Sequence, residues 1–366
     1  MDPYRIAVPQ ADLDDLAERL SRTRFAQEIP DAGWDYGVPL SVLRPLVEYW
    51  RTGYDWRVWE RPLNAYPQFT TDIDGQRIHF LHVRSPEPGA LPLILTHGCP
   101  GSIAEFLDVI GPLTDPRAHG ADPHTAFHLV VPSLPGFGFS GPTTDRGWGP
   151  VRIARAWVEL MRRLGYERYG AAGNDWGSVI SSEVGRLAPD SVVGVHVTQI
   201  FGPPQEEAEL DPAVPAERAA IDGQAWFHRN MDAYHHVQAQ QPQSIAHALA
   251  DSPVGLLGWH EVIYRGGLDA DYVLTNVMIH WLTGTVASAM RIYYEDANAE
   301  LPAEPTTVPL ALAQFRDDTH AVRRFAERRH ANIVSWHEYD TAGHYAAHQA
   351  PDLLVADIGT FFAGLR

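Results

Sequence analysis

The residues best placed to do chemistry lie in one pentapeptide, Gly173-Asn174-Asp175-Trp176-Gly177. Upstream, residues 166–172 (YERYGAA) are a short apolar run suited to a buried strand. Downstream, residues 178–187 (SVISSEVGRL) have helical spacing that Pro189 closes. Asp175 is thus expected at a sharp strand-to-helix turn, where small flanking residues let the backbone strain and lift the central side chain above a sheet. That is the layout of a nucleophile elbow, with a carboxylate in place of the usual hydroxyl. The pentapeptide alone is equally compatible with an aspartate that merely caps the helix.

The rest of the chain bears on that choice. Asp317-Asp318 follows the strand-like VPLALAQF, and His344 lies in Thr341-Ala342-Gly343-His344-Tyr345 after IVSWHEY. Nucleophile, then acid, then histidine is the chain order of the α/β-hydrolase triad. A carboxylate, with a reference pKa of about 3.9, needs no base to become a nucleophile. It attacks best at a saturated carbon that bears a leaving group or belongs to a strained ring. The product is an alkyl ester of Asp175, and the histidine is left free to activate water against it. Epoxides and haloalkanes are the substrates this chemistry suits. The oxyanion formed on the ester needs preorganised donors, which the backbone N–H groups of Cys99 and Trp176 would supply. His97, Pro100 and Trp176 are expected to line the substrate pocket. An epoxide also needs an acid for its opening oxygen, and Tyr234 and Tyr293 are candidates in a chain of 14 tyrosines, most of which must be packing residues.

Several elements must position these groups. Residues 11–23 and 41–51 carry apolar residues at helical spacing, and residues 54–69, rich in aromatics and prolines, predict an extended arm. Residues 69–74 and 76–83 alternate around Asp74-Gly75, a strong hairpin signal. Strand-like runs at 91–96, 128–132, 166–172 and 192–200 alternate with helical patterns at 103–110, 157–164 and 178–187, which predicts a mostly parallel sheet flanked by helices. In such sheets functional groups collect at the carboxyl ends of the strands. Residues 201–300 change character, with helical stretches near 224–240, 254–264 and 272–294. The strand and helix rhythm resumes at 309–315, 322–330, 333–339 and 351–362. The expected organisation is an N-terminal helical arm wrapping the core (1–70), a hydrolase core (71–203 and 301–366) and an inserted helical lid (204–300).

Composition narrows the classes. The chain has 366 residues, 45% of them apolar, enough for a large core. All 28 basic residues are Arg, a bias that says nothing about mechanism. A formal net charge of -18 argues against nucleic acid or an anionic membrane surface as partner. The single cysteine, Cys99, excludes an intramolecular disulfide. MDPYRIAVPQ lacks the basic and apolar regions of a signal peptide, and no apolar run approaches the ~18 residues of a membrane span. A soluble, cytoplasmic protein is expected, with a homo-oligomer left open. The histidines show no HExxH or comparable ligand spacing, so neither metal nor cofactor is implied.

Several separated motifs resemble those of the microsomal-type epoxide hydrolases. YW, YDWR and E-x-x-LN-x-YPQF are similar to that family's N-terminal segment, HGCPGS to its HGWPGS turn and GNDWGS to its GGDWGS elbow. YHHVQ, DSPVGL, RIYYE and AGHYAA are similar to its lid and histidine motifs. The resemblance implies Asp175 as nucleophile, His344 as base, Asp318 as the acid that orients it, with Asp317 as the alternative, and Tyr234 with Tyr293 as the pair that protonates the epoxide oxygen. Two residues depart from the pattern. Cys99 replaces a Trp, which predicts a roomier pocket and a bulky substrate, and Asn174 replaces a Gly. The expected function is epoxide hydrolysis. Haloalkane dehalogenation, or a catalytically silent binding protein on the same fold, are the alternatives.

Overall fold

The computed structural model describes residues 1–201, 209–300, 302 and 304–366. The chain opens with β1 (Asp2–Tyr4) and three helices, α1 (Gln10–Ser21), α2 (Leu40–Thr52) and α3 (Trp56–Leu63). Then come β2 (Gln68–Ile73), β3 (Gln76–Val83), β4 (Leu91–Thr96), α4 (Leu107–Thr114), β5 (Phe127–Pro132), α5 (Pro150–Arg163), β6 (Tyr169–Gly173), α6 (Trp176–Leu187) and β7 (Val192–Val197). Six helices follow: α7 (Pro215–Asn230), α8 (Ala233–Gln240), α9 (Pro242–Asp251), α10 (Pro253–Tyr264), α11 (Ala270–Thr283) and α12 (Val286–Ala297). The chain closes with β8 (Leu310–Asp317), α13 (Arg323–Arg329), β9 (Ile333–Gly343), α14 (Ala346–Gln349) and α15 (Pro351–Ala363).

The strands form one sheet in the order β1-β2-β3-β5-β4-β6-β7-β8-β9. Pairs from β5 through β9 are parallel, and β1, β2 and β3 extend the sheet antiparallel at one edge. Asp74 and Gly75 both take positive φ (52° and 75°), the geometry that joins two strands in a two-residue hairpin. β6 lies in the middle of the sheet between β4 and β7, so the turn after it opens at the centre of the strands' carboxyl edge.

Five expectations need correction. Residues 54–69 are not an extended arm: Trp56–Leu63 is helical, Asp55 caps it by accepting the Arg57 N–H, and Trp56 and Leu63 bury its apolar face. Pro62 cannot donate to the Val58 carbonyl, and the helix ends one residue later. The sheet also begins earlier than expected, since β1 pairs with β2. Residues 157–164 belong to a longer helix, with Pro150 at its first turn. The 224–240 stretch divides at Met231-Asp232, and the 272–294 stretch divides at Gly284, whose φ of 63° ends α11. The expected boundary between 203 and 204, and residue 301, lie outside the described residues.

The arm does more than cover the core. Trp50 Nε1 donates to Met278 Sδ (3.2 Å) and the Tyr54 hydroxyl meets the Thr275 hydroxyl (3.0 Å). Arg19 donates to the Asp251 carbonyl (2.9 Å) and the Tyr49 hydroxyl to Asp271 (2.8 Å). α11 receives three of these clasps and is buried from Tyr272 through His280. Its other side reaches the turn after β4: Ser102 Oγ donates to Asn276 Oδ1 (2.7 Å) and His280 Nε2 to the Pro100 carbonyl (3.1 Å). α11 is therefore a fixed wall held from both sides. Among the described residues no helix is long and apolar enough to cross a membrane.

Candidate active site

Asp175 sits at φ 50°, ψ -124°, a region that non-glycine residues occupy only when their surroundings force them there. It precedes α6 yet its side chain caps nothing. The strain has a steric origin in the flanking glycines. A Cβ on Gly177 would lie 1.9 Å from the Thr96 carbonyl oxygen, so only glycine lets α6 start this close to β4. A Cβ on Gly98 would lie 2.3 Å from the Asp175 Cβ. That clearance lets the turn after β4 lay its backbone against the carboxylate, and the Cys99 N–H donates to Asp175 Oδ1 at 2.7 Å. Trp176 opens α6, so its amide has no acceptor within the helix and adds to the positive end of the helix dipole. Cys99 and Trp176 thus stand where an oxyanion would need donors.

The carboxylate's other oxygen faces the histidine. His344 Nε2 is 3.5 Å from Asp175 Oδ2, and His344 Nδ1 donates to Asp318 Oδ1 at 2.9 Å. Asp317 points away: it is the last residue of β8, 62% exposed, and pairs with Arg316. Asp318 turns inward just beyond the strand. Its burial alone would raise its pKa, but His344, Gln199 and the Thr319 N–H bring it below the ordinary carboxylate value. Burial also works against charge on His344, yet the Asp318 carboxylate and the hydrogen bonds to Asp175 and Asp318 hold it well above the usual histidine range. His344 thus sits between two carboxyl groups, and both favour its protonated form. Asp175 and His344 keep 16% and 25% side-chain exposure, so the space before them is open to a ligand.

Gln199, which the sequence reading did not single out, ties the parts together. Its Oε1 accepts from the Asp175 N–H (2.7 Å) and from the Thr198 hydroxyl (2.7 Å), and its amide nitrogen donates to Asp318 Oδ2. One side chain so fixes both the elbow and the acid. The available signal was its place just past β7, at the carboxyl edge of the sheet. Glu105, in the short turn Ile103–Phe106, was also missed; it accepts from Asn174 Nδ2 at 2.6 Å.

Tyr293, from α12, is buried and stands edge-on to Trp176 with centroids 4.9 Å apart. Tyr234, from α8, is partly buried and packs edge-on to Tyr293 at 6.0 Å. Burial first, and the nearby negative charge of Asp175 second, raise the pKa of Tyr234; burial likewise raises that of Tyr293. Both hydroxyls therefore stay protonated and able to donate. Burial also pushes up the Cys99 thiol, which keeps it protonated and unreactive. His97 is fully buried and accepts the Leu134 N–H at Nε2 (3.2 Å) while Nδ1 donates to the Gly98 carbonyl (2.8 Å). Burial lowers its pKa to about 4, so it is a neutral brace of the turn, and it bears on a ligand only through that turn. Pro100 is likewise held in the turn by His280.

Comparison with known proteins agrees with this geometry. The family profile "Epoxide hydrolase N terminus" matches residues 1–106 and the "alpha/beta hydrolase fold" profile matches residues 92–265. The chain is 41% identical to a candidate epoxide hydrolase of Stigmatella aurantiaca, over 100% of this chain and 85% of that protein. It is 31% identical to epoxide hydrolase 1 of Sus scrofa, over 100% of this chain and 89% of that protein. The solved structure of Aspergillus niger epoxide hydrolase superposes with a TM-score of 0.87 at 29% identity, covering 100% of this chain and 96% of that one. With a relative above 40% identity spanning its whole length and the epoxide hydrolase N-terminal profile ahead of the α/β-hydrolase one, the chain belongs to the epoxide hydrolases of the α/β-hydrolase fold.

Proposed function

We propose that the protein converts an epoxide to a vicinal diol through an ester on Asp175. Asp175 Oδ2 attacks a ring carbon, the C–O bond of the epoxide breaks, and a tyrosine hydroxyl of the Tyr234–Tyr293 pair gives the departing oxygen its proton. Asp175 Oδ1, held by the Cys99 N–H, becomes the ester carbonyl oxygen. Ester formation consumes the Asp175 charge, one of the influences that keep His344 protonated, so the ring releases its proton more readily and can act as base. Once its proton has passed on to restore the tyrosine, His344 takes a proton from water. The hydroxide adds to Cγ, the Cys99 and Trp176 amides hold the oxyanion, and the acyl C–O bond breaks. The alkoxide takes the proton from His344, which frees the diol, and the Asp175 carboxyl group left behind gives its own proton to His344, which restores the starting pair.

The observation that carries this reading is the line from the Cys99 amide through Asp175 and His344 to Asp318. The two tyrosines favour an alkoxide over a halide as the group released. One turnover in heavy-oxygen water tests it: the peptide that contains Asp175 must gain one heavy oxygen, and direct attack of water on the epoxide would leave it unlabelled. Cys99 lies beside Tyr293 where the similar family motif has Trp, which supports a bulky substrate. A Cys99→Trp variant should lose activity on large epoxides and keep it on small ones, and equal activity on both would remove the size argument.

A further inference from the structure

Behind the Asp175–His344 pair, several buried polar atoms have no partner in the protein. They are Glu105 Oε2, Asn174 Oδ1 and the hydroxyls of Tyr264, Tyr272 and Tyr345. The residues that carry them are at most 5% exposed. They converge from four parts of the fold. Asn174 adjoins the nucleophile in the chain, and its amide nitrogen fixes Glu105 at 2.6 Å. Tyr345 adjoins the base, with ring centroids 5.0 Å from His344. Tyr264 and Tyr272 lie 5.3 and 5.7 Å from Tyr345. A Cβ on Gly101 would fall 2.7 Å from Glu105 Oε2, so the turn after β4 leaves room for that oxygen.

Buried polar atoms are seldom left without partners, and a buried water needs two to four of them. We infer that Glu105, Asn174, Tyr264 and Tyr345 form a water site behind the nucleophile, and that it supplies the water that cleaves the Asp175 ester. The inference rests on the covalent reading above. The types of group suit the task. Asn174 Oδ1 can only accept, the tyrosines donate or accept, and Glu105 donates when protonated. Burial, opposed by the charge of His344, pushes the Glu105 carboxyl up to about 8, so it holds its proton at neutral pH and adds no second charge beside Asp175. Water held there lies next to the residue it must attack and to the base that takes its proton.

The test separates the two half-reactions by rapid quench and intact mass. Tyr264→Phe removes one of the orphaned hydroxyls and leaves the Asn174–Glu105 bond in place. Tyr345→Phe removes one hydroxyl and keeps the ring. In both, the ester should form at the wild-type rate and decay about tenfold more slowly, so that the adduct accumulates during turnover. Unchanged decay, or formation and decay slowed together, overturns the water site. In Glu105→Gln, which keeps an acceptor for Asn174 and a neutral donor for the water, the ester should decay at the parent's rate, and a decay about tenfold slower there would overturn the neutral carboxyl. A His344→Gln enzyme is the control: it must accumulate the same adduct, and if none forms it is the covalent reading that falls.

Discussion

A single position separates the acid from its neighbour. Asp318 leaves β8 inward to meet His344 at 2.9 Å, whereas Asp317 faces solvent and Arg316. Asp318→Asn should therefore lower the rate of ester decay by ~10³-fold or more, because the imidazole loses the charge that orients and stabilises it. Asp317→Asn should leave it within about twofold, since exposed ion pairs contribute little; equal losses in single-turnover assays would reassign the acid. Gly98→Ala makes the converse point about space. Its Cβ would lie 2.3 Å from the Asp175 Cβ, so the Cys99 amide would have to withdraw. Ester formation should fall by ~10²-fold or more, as loss of one oxyanion donor does elsewhere, with a near-native circular dichroism spectrum. The placing of Asp175 at a sharp turn and of His344 beside it was legible because an elbow and a chain order are local signals. Gln199 and Glu105 were not, since their meaning comes from partners 119 and 69 residues away.

At the scale of elements, residues with a clear period declared themselves. The hairpin at Asp74-Gly75, the parallel strands and α6 follow from alternation, apolar runs and glycine. α3 did not, because two prolines and five aromatics within residues 54–69 read as an extended path, while tertiary burial of Trp56 and Leu63 selects the helix. The insertion as a whole was legible, but the role of α11 was not. The contacts that hold it come from the arm on one side and the turn after β4 on the other, so it transmits the arm's position to the backbone that faces Asp175. Tyr54→Phe removes the hydroxyl that meets Thr275. It should lower stability by about 1 kcal/mol and speed amide exchange in residues 270–283 more than in β6. If exchange rises equally throughout the sheet, or not at all, the clasp does not govern α11.

For the whole molecule, the formal charge of -18 means that the folded chain must hold many carboxylates close together, and acid relieves that repulsion as it protonates them. Against this general effect stands one buried carboxylate whose charge the fold needs. Asp357, on α15, accepts from His196 Nε2 on β7 (2.8 Å), from His337 Nδ1 on β9 (2.6 Å) and from the Tyr339 hydroxyl, and so pins the last helix across the sheet. Burial alone would raise its pKa, but the hydrogen bond and charge of His196, with Tyr339 and His337, lower it from 3.8 to about 2. A carboxylate whose folded pKa is depressed contributes stability above its unfolded pKa and loses it as the pH falls through the folded one. A shift of this size corresponds to about 2 kcal/mol at neutral pH. Asp357→Asn should therefore unfold at lower urea than the parent at pH 7, by about that amount, and the gap should narrow as the pH falls from 5 towards 2. His344 follows the carboxyl end of β9, beyond His337 and Tyr339, so the variant's activity at 25 °C and pH 7 should stay near that of the parent while its thermal midpoint drops. A gap that is the same at pH 7 and pH 3 would mean that the hydrogen bonds alone, and not the charge on Asp357, hold α15 in place.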